Sequence, residues 1–519
     1  MKVFLMHPYR DLEFEKPLPA HTLELMQDLG LHILLETMAQ GDESILRIVK
    51  QALLSQAGDP VEILFRQAVL KDCLNNPEVV RDMYRVALQA LEGRRRLWLG
   101  KYGSFPDSIL SGARGMLEFY LGSLEAMREI ALKHAHRFQS QGFCRFMAML
   151  QTELQPDYLA CLRDHVQMLR FRQGVLVSAQ LGPGNEGCNY VLRRPLTQKS
   201  GWLASVVGRW KSRNYSFSLH PRDDSGAMAL GELRNKGIAR AANAVAQAAD
   251  HVEAFWKALQ RELAFYVGCL NLAHALERLG EPIAFPELFP TGTRSMRFKG
   301  LYDPCLALQM GQKVVGNDMV AQGKDLVIIT GANQGGKSTF LRSLGISQLM
   351  MQSGMFVPAE SFSAELSTGL FTHYKKQEDS SMKSGKLDEE LARMSSIVEA
   401  LGPGSMVLFN ESFGTTNEHE GSEIAWEIVN GLLESGVKVF FVTHLYEFAR
   451  RYFDRECSNV IFLRAQRECD GTRTFKLVEG KPLATSHGMD LYKLIFQDQK
   501  LPKTQGESSE AICSQGNKA

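Results

Sequence analysis

No two cysteines stand in a CxxC pair, although nine are scattered along the 519 residues. That scatter argues against a zinc site or a disulfide framework and for a reducing compartment. Runs of apolar residues long enough to span a bilayer are missing too. Met1 to Met6 has a short apolar run, but Asp11, Glu13 and Glu15 follow at once, so no secretory leader is expected and the cytoplasm is the expected location. Charge of one sign is not in excess: 59 Lys and Arg face 58 Asp and Glu, a formal net charge of +1. Any nucleic-acid site must therefore be a local patch. With 45% hydrophobic and 23% charged residues, the composition is that of a soluble globular protein. Its length calls for roughly two to four domains.

The most informative stretch runs from Val327 to Leu341. Val327–Ile328–Ile329–Thr330 predicts a buried strand, a glycine-rich turn follows, and Phe340–Leu341 opens an amphipathic helix. Gly331, four further residues, and then Gly336–Lys337–Ser338 fit the phosphate-binding P-loop pattern. Glycines let backbone N–H groups curl around phosphate oxygens, and the helix N-terminus adds partial positive charge. Lys337 would reach the outer phosphates and Ser338 would place its hydroxyl on Mg²⁺. An ordinary glycine-rich turn is the plain alternative, but strand, loop and helix signals coincide here with the full motif.

In chain order, Pro19 to Gln180 carries helical apolar spacing almost throughout. Arg94–Arg95–Arg96 reads as a solvated helix face, and His134 with His136 is too closely spaced on a helix to be a ligand pair. Residues 1–187 are assigned to a helical core domain. Residues 188–223 differ, with short strands expected at Tyr190–Leu192, Trp202–Val207 and Tyr215–Leu219. This segment has no Asp or Glu between Arg193 and Arg222. Its Arg193, Arg194, Lys199, Arg209, Lys211 and Arg213, interleaved with Trp202, Trp210, Tyr215 and Phe217, form the best nucleic-acid candidate by composition. A basic hairpin that packs its aromatics on neighbouring helices fits equally well. Asp224 to Leu279 reads as one long helix, stopped by Gly280 and Pro282 and acting as a lever; the lever segment is bounded at 224–295.

Residues 296–498 alternate strands and helices, which implies a mostly parallel sheet with ligand at the strand ends. Strand Met406–Phe409 runs into Asn410–Glu411, where P-loop ATPases carry acids that hold the Mg²⁺ shell and orient the attacking water. Glu411 is the candidate for water polarisation, against the plain reading of a helix-entry acid. His444, beyond strand Val437–Phe441, is placed to hold the water or sense the γ-phosphate. Residues 499–519 are polar, without periodicity, and are expected to be a disordered tail.

These residues together carry a family resemblance. Thr330–Gly331–Ala332–Asn333–Gln334–Gly335–Gly336–Lys337–Ser338–Thr339 resembles the P-loop of the MutS family of DNA mismatch-repair ATPases. Gly354–Met355–Phe356–Val357–Pro358–Ala359 is similar to the family's Gly-x-x-Val-Pro-Ala, and Thr443–His444 to its Thr-His switch. Phe371–Thr372 and Ser384–Gly385 resemble the loop that contacts nucleotide across the dimer, Ser486–His487–Gly488 the late Ser-Tyr-Gly, and Asp303–Pro304 the family's His-Pro.

The resemblance implies an all-α core and lever region with a small β insertion, followed by an α/β P-loop domain of ABC type. It makes Gly331, Asn333, Gly335, Gly336, Lys337, Ser338 and Thr339 the ATP-binding set, with Mg²⁺ at Ser338 and Asn410 and catalysis at Glu411 and His444. It further implies a homodimer through the ATPase domain, closing around ATP, with DNA as partner and no membrane association.

Departures from the family pattern shape the expected activity. The family's Asp-Glu pair is Asn410–Glu411 here, which removes a charge beside the metal and predicts slower hydrolysis or weaker Mg²⁺ binding. After Gly385 the family's Arg-Ser-Thr-Phe is Lys386–Leu387–Asp388–Glu389, and Phe413–Gly414–Thr415–Thr416 replaces Gly-Arg-Gly-Thr. No counterpart of the aromatic mismatch-reading motif is found, so binding to DNA shape, junctions or backbone is expected. The favoured reading is an ATPase that couples nucleotide state to DNA clamping in mismatch repair or related repair and recombination. A nucleotide-gated protein scaffold with weak or no hydrolysis, or an ATPase acting on structured RNA or ribosomes, are its rivals.

Overall fold

Aspartate and serine start signals set the helix boundaries in the first part of the chain. The computed structural model describes residues 1–12, 17–55, 59–97, 105–172, 174–194, 217–332, 334–376, 385–468 and 473–482. Its elements begin with α1 (Thr22–Leu29), α2 (Leu31–Ala39), α3 (Glu43–Leu54), α4 (Pro60–Asn75), α5 (Pro77–Leu97), α6 (Pro106–His134), α7 (Gln141–Glu153) and α8 (Pro156–Met168). Then come β1 (Leu176–Leu181), β2 (Gly187–Arg193), α9 (Asp224–Arg278), β3 (Glu287–Phe289), β4 (Met296–Leu301), α10 (Pro304–Met310), β5 (Asn317–Ala321), β6 (Leu326–Thr330) and α11 (Lys337–Gln352). The last are β7 (Ser361–Glu365), β8 (Leu370–Tyr374), α12 (Lys386–Ala400), β9 (Met406–Asn410), α13 (Glu418–Glu434), β10 (Lys438–Val442), α14 (Tyr446–Asp454), β11 (Val460–Arg467) and β12 (Arg473–Glu479). This is a helical region joined to an α/β region.

Two compact units result. The first holds residues Met1–Pro290, Leu301–Val314 and Ser343–Thr368, and the second Thr291–Gly300, Val315–Arg342 and Gly369–Ala519.

In the first unit, Asp42 caps α3 by accepting from Ser44 N and Ile45 N, Asp59 caps α4 ahead of Pro60, and Ser140 caps α7. The spine is α9, 55 residues without a break, packed on α2, α3, α5 and α6. Its glycines do not interrupt it, and two of them allow a neighbour to come close. A Cβ at Gly268 would stand 2.7 Å from Val49 Cγ1, and one at Gly237 only 2.5 Å from Val177 Cγ2.

Two expectations for this region are corrected. Helical texture was expected through Gln180, yet α8 ends at Met168 and Leu176–Leu181 pairs antiparallel with β2. Among the described residues this strand pairs with β2 alone and is largely exposed, so it lacks the apolar alternation that would announce it. Phe217–Leu219, expected in a strand, is irregular; the expected strand Trp202–Val207 lies outside the described residues, as do all of 195–216. The side chains of Arg94–Arg96 and the tail 499–519 also lie outside the described residues.

A buried carboxylate ties down the irregular N-terminal segment. Glu262, on α9 and fully buried, accepts from Leu5 N at 2.6 Å and Met6 N at 3.0 Å through Oε2, and from Leu12 N at 3.1 Å through Oε1. Tyr266 Oη donates to Leu5 O at 2.6 Å and Arg66 Nε to Met6 O at 2.9 Å. These side chains replace the ladder partners that the segment lacks.

In the second unit a six-stranded sheet has the order β12-β11-β6-β10-β9-β8. All neighbouring pairs are parallel except β11 with β12, which is antiparallel. Strands buried on both faces explain the unbroken apolar runs. On one face Ile328, Val407, Phe409, Val439 and Phe441 pack with Trp426 and Val429 of α13 and Phe448 and Tyr452 of α14. Register places Val442 beside both Ile329 and Asn410, so β6, β9 and β10 end level. Among the described residues no helix is long and apolar enough to cross a membrane.

Burial raises the Glu262 pKa to about 7, against the three N–H groups that favour its charged form. A carboxyl with a raised pKa binds more protons folded than unfolded between about pH 4.5 and 7. Its contribution to stability is thus fully present at the low end of that window and is lost as pH rises through 7. The difference amounts to at most about 3 kcal/mol. Denaturant unfolding at pH 5 and pH 8 is expected to show that this part of the slope disappears in Glu262→Gln.

Candidate functional site

The level ends of β6, β9 and β10 put three loop starts at one edge of the sheet. After β6, Gly331 has φ 118° and Gly336 φ 87°, a left-handed backbone that suits glycine. Gly335 is required for another reason: a Cβ there would meet Ala465 Cβ at 2.7 Å and Ala332 O at 3.0 Å. Lys337, on the first turn of α11 and buried, donates from Nζ to Gly331 O at 2.8 Å and Ala332 O at 2.9 Å. Burial lowers its pKa, and the Glu411 charge works in the opposite direction. Thr339 stands half-buried on the same turn.

Ser338 Oγ donates to Asn410 Oδ1 at 2.9 Å. Glu411 follows with φ 56°, an uncommon conformation for a residue with a side chain. Its N–H donates to Val442 O at 2.9 Å, and its Oε1 accepts from His444 Nε2 at 3.0 Å. Because a carboxylate oxygen only accepts, the imidazole proton sits on Nε2. The bond to His444 is the first cause of a lowered Glu411 pKa, opposed by burial, so the carboxylate is ionised at neutral pH. The side chains of His444 and Glu411 are 32% and 38% exposed, open to solvent from one side.

Thus Gly331, Gly335, Gly336, Lys337, Ser338, Asn410, Glu411 and His444 gather in one place, the last two in direct contact. Asn333 lies outside the described residues, as do Ser384 and Ser486–Gly488. Of the basic segment, Arg193 closes β2 and donates from Nε to Ser178 Oγ at 2.9 Å, with Arg194 next to it, both exposed. Lys199, Arg209, Lys211 and Arg213 lie outside the described residues.

Sequence reading missed the contribution of β12. Arg473 Nη1 donates to Gln334 Oε1 at 2.6 Å, and the Phe475 backbone runs 3.4 to 3.6 Å from a Cβ position at Gly336. Asn317 fixes that strand, accepting from Leu477 N at 2.7 Å and donating to Phe475 O at 3.4 Å. Phe475 is itself 47% exposed with φ 56°. Only an aromatic residue in a late strand hinted at this.

Helices joined to a mostly parallel α/β sheet, with a glycine-rich loop, a carboxylate and a histidine at level strand ends, define a mixed helical and α/β protein with a strand-end site. Residues 58–279 match the model of the MutS2 N-terminal domain and residues 327–510 that of MutS domain V. The chain belongs to the MutS family. It is similar to MutS protein homolog 4 of Mus musculus, 30% identical over 159 residues, which are 30% of this chain and 17% of that protein. DNA mismatch repair protein MutS of Thermotoga maritima is 31% identical over 186 residues, 35% of this chain and 23% of the relative. The protein of that name from Shouchella clausii is 27% identical over 270 residues, 51% of this chain and 30% of the relative. The chain therefore spans less than a third of the length of these curated relatives.

Removing the imidazole should let the Glu411 carboxyl titrate at higher pH. Carboxyl ¹³C NMR titration of His444→Ala against wild type reads this directly, and an unchanged midpoint would show that the hydrogen bond does not set the charge.

Proposed function

We propose that this chain binds ATP with Mg²⁺ at the edge formed by β6, β9 and β10, and that it is a MutS-type ATPase coupling nucleotide state to its grip on DNA. The observation that carries this reading is the convergence of the glycine-rich loop, the Ser338–Asn410 pair and the Glu411–His444 pair. The glycines fit the group: side chains at Gly335 or Gly336 would fill or strain the loop that must wrap phosphates. Lys337 would exchange its two loop carbonyls for the outer phosphate oxygens. Ser338 and Asn410 would hold Mg²⁺, whose bound charge would neutralise phosphate oxygens.

Glu411 would orient the attacking water through its ionised carboxylate, while His444 keeps that carboxylate in place. Phe475 would offer its ring to the base, since Val314 and Val315 provide no aromatic there. By its family, the chain would dimerise through the α/β unit and contact duplex or branched DNA through the basic segment that includes Arg193 and Arg194. Mismatch repair, which the names of its relatives state, or a related repair or recombination process would be its setting.

A second reading draws support from Asn410. With a neutral amide on Ser338, the chain would bind ATP and recruit a protein partner in its dimeric state with little hydrolysis.

Binding and turnover measured together separate these readings. Lys337→Ala is expected to lose ATP affinity. Glu411→Ala should keep it, with hydrolysis falling roughly 10²- to 10⁴-fold, the usual worth of a general base. Asn410→Asp should tighten Mg²⁺ binding by roughly 10- to 100-fold. Wild-type hydrolysis no faster than that of Glu411→Ala would leave the scaffold. Mobility shifts with homoduplex, mismatched and branched DNA at two salt concentrations should show binding that weakens with salt; no binding at the lower salt would remove DNA from the account.

A further inference from the structure

We propose that His373 and Glu390 are positioning residues that set where the Glu411 carboxylate points, an inference that rests on the ATPase reading above. Glu411 and Phe413 both have left-handed backbones, φ 56° and 62°, with only Ser412 between them. Side-chain-bearing residues adopt this conformation when their surroundings hold them in it. What surrounds this turn is a closed set of hydrogen bonds from two other elements.

The first support comes from β8. Ser412 is fully buried, as is His373. Ser412 Oγ donates to His373 O at 2.5 Å and lies 2.8 Å from His373 Nδ1. His373 Nε2 lies 3.1 Å from Glu390 O, and a carbonyl can only accept, so Nε2 carries the proton. Burial first, and the Arg393 charge second, push the His373 pKa down to about 3. The ring is therefore neutral, Nδ1 is a bare acceptor, and the Ser412 hydroxyl proton is shared between that nitrogen and the His373 carbonyl. The same ring stacks on Phe413, centroids 5.3 Å apart and planes at 22°.

The second support comes from α12. Buried Glu390 accepts from Phe413 N at 2.9 Å through Oε1 and from Thr415 Oγ1 at 2.9 Å through Oε2. Its backbone carbonyl holds His373, and its carboxylate holds the turn, so one residue ties both supports together. Glu411 itself bonds to Val442 O and His444, on the other side of the turn. The carboxylate thus meets His444 only while residues 412–415 are clamped from behind. A displacement of about 1 Å at a reacting group can cost on the order of 100-fold in rate, so loss of the clamp should act on turnover and not on ATP affinity.

The test uses the full chain with Mg²⁺ and compares wild type, Glu390→Ala, Glu390→Gln and Glu390→Ala in a Glu411→Ala background. Affinity is read with a fluorescent ATP analogue, turnover under single-turnover conditions, and the Glu411–His444 contact in crystal structures of wild type and Glu390→Ala. Glu390→Ala is expected to keep its affinity within about twofold while turnover falls roughly 10- to 100-fold. Glu390→Gln, which keeps an acceptor for Phe413 N–H, is expected to recover most of it. In the Glu411→Ala background the second substitution should cost nothing more. In Glu390→Ala the Glu411 carboxylate should no longer lie within hydrogen-bond distance of His444 Nε2. Equal turnover in Glu390→Ala and wild type, a parallel loss of affinity, or a further drop without Glu411 would each overturn the proposal. If the wild type does not hydrolyse ATP, the ATPase reading fails by itself. Variant crystal structures still decide the positioning: an unmoved Glu411–His444 contact in Glu390→Ala refutes it.

Discussion

The arrangement of the candidate site depends on the burial of one strand. All five residues of β6 are buried, and parallel neighbours hold it on both sides, β10 through Val439 to Val442 and β11 through Val460 to Arg464. A slip of one residue would turn every side chain of β6 to the opposite buried face and break the packing on both. The register is therefore fixed by the hydrophobic core, and the level ends of β6, β9 and β10 follow from it. Polar groups such as Ser338 and Asn410 meet because apolar groups elsewhere have no alternative packing.

Charge at this edge centres on Glu411, on which Lys337 and Lys375 both act. Lys337 and Glu411 feel one another, and between them sits a hydroxyl-to-amide bond, Ser338 to Asn410, with no formal charge. An amide does not titrate, so that bond keeps its polarity at any ordinary pH. A carboxylate in the same place would have repelled Glu411 and attracted Lys337. The neutral pair leaves Glu411 free to be governed by His444, and that pairing is what holds its proton affinity down.

Local patterns made the α/β part legible. Val327–Thr330 and Met406–Phe409 are unbroken apolar runs ending at glycine or polar residues, and both are strands at nearly those bounds. The helix read from Asp224 to Leu279 runs from Asp224 to Arg278, since a helical pattern rich in Ala, Leu, Glu and Arg runs almost unbroken through it. Strand β1 was not legible: Ser178 and Gln180 interrupt its apolar residues, and among the described residues its partner is β2. Neither were His373 and Glu390. Their partners Ser412, Phe413 and Thr415 lie 23 to 39 residues away in sequence, and a buried histidine in an apolar strand carries no pattern that separates a packing residue from a polar support. Arg473 and Phe475 escaped for the same reason, being brought to the glycine-rich loop by an antiparallel return strand.

The unbroken helix α9 also has a kinematic consequence. None of its residues from Asp224 to Lys236 is buried, whereas from Glu253 to Leu276 most are. Its second half is therefore held more deeply than its first, where Arg234 and Asn235 are tied to Asp107 of α6. The hairpin of β1 and β2 rests on that first half, against Ile238 and Ala242, which also meet Leu110 of α6. Ile238 lies about 22 Å before Glu253 at 1.5 Å per residue, so tilting the second half by about 5° would move it through roughly 2 Å. A slight repacking of the core would thereby shift the hairpin and the start of α6 together.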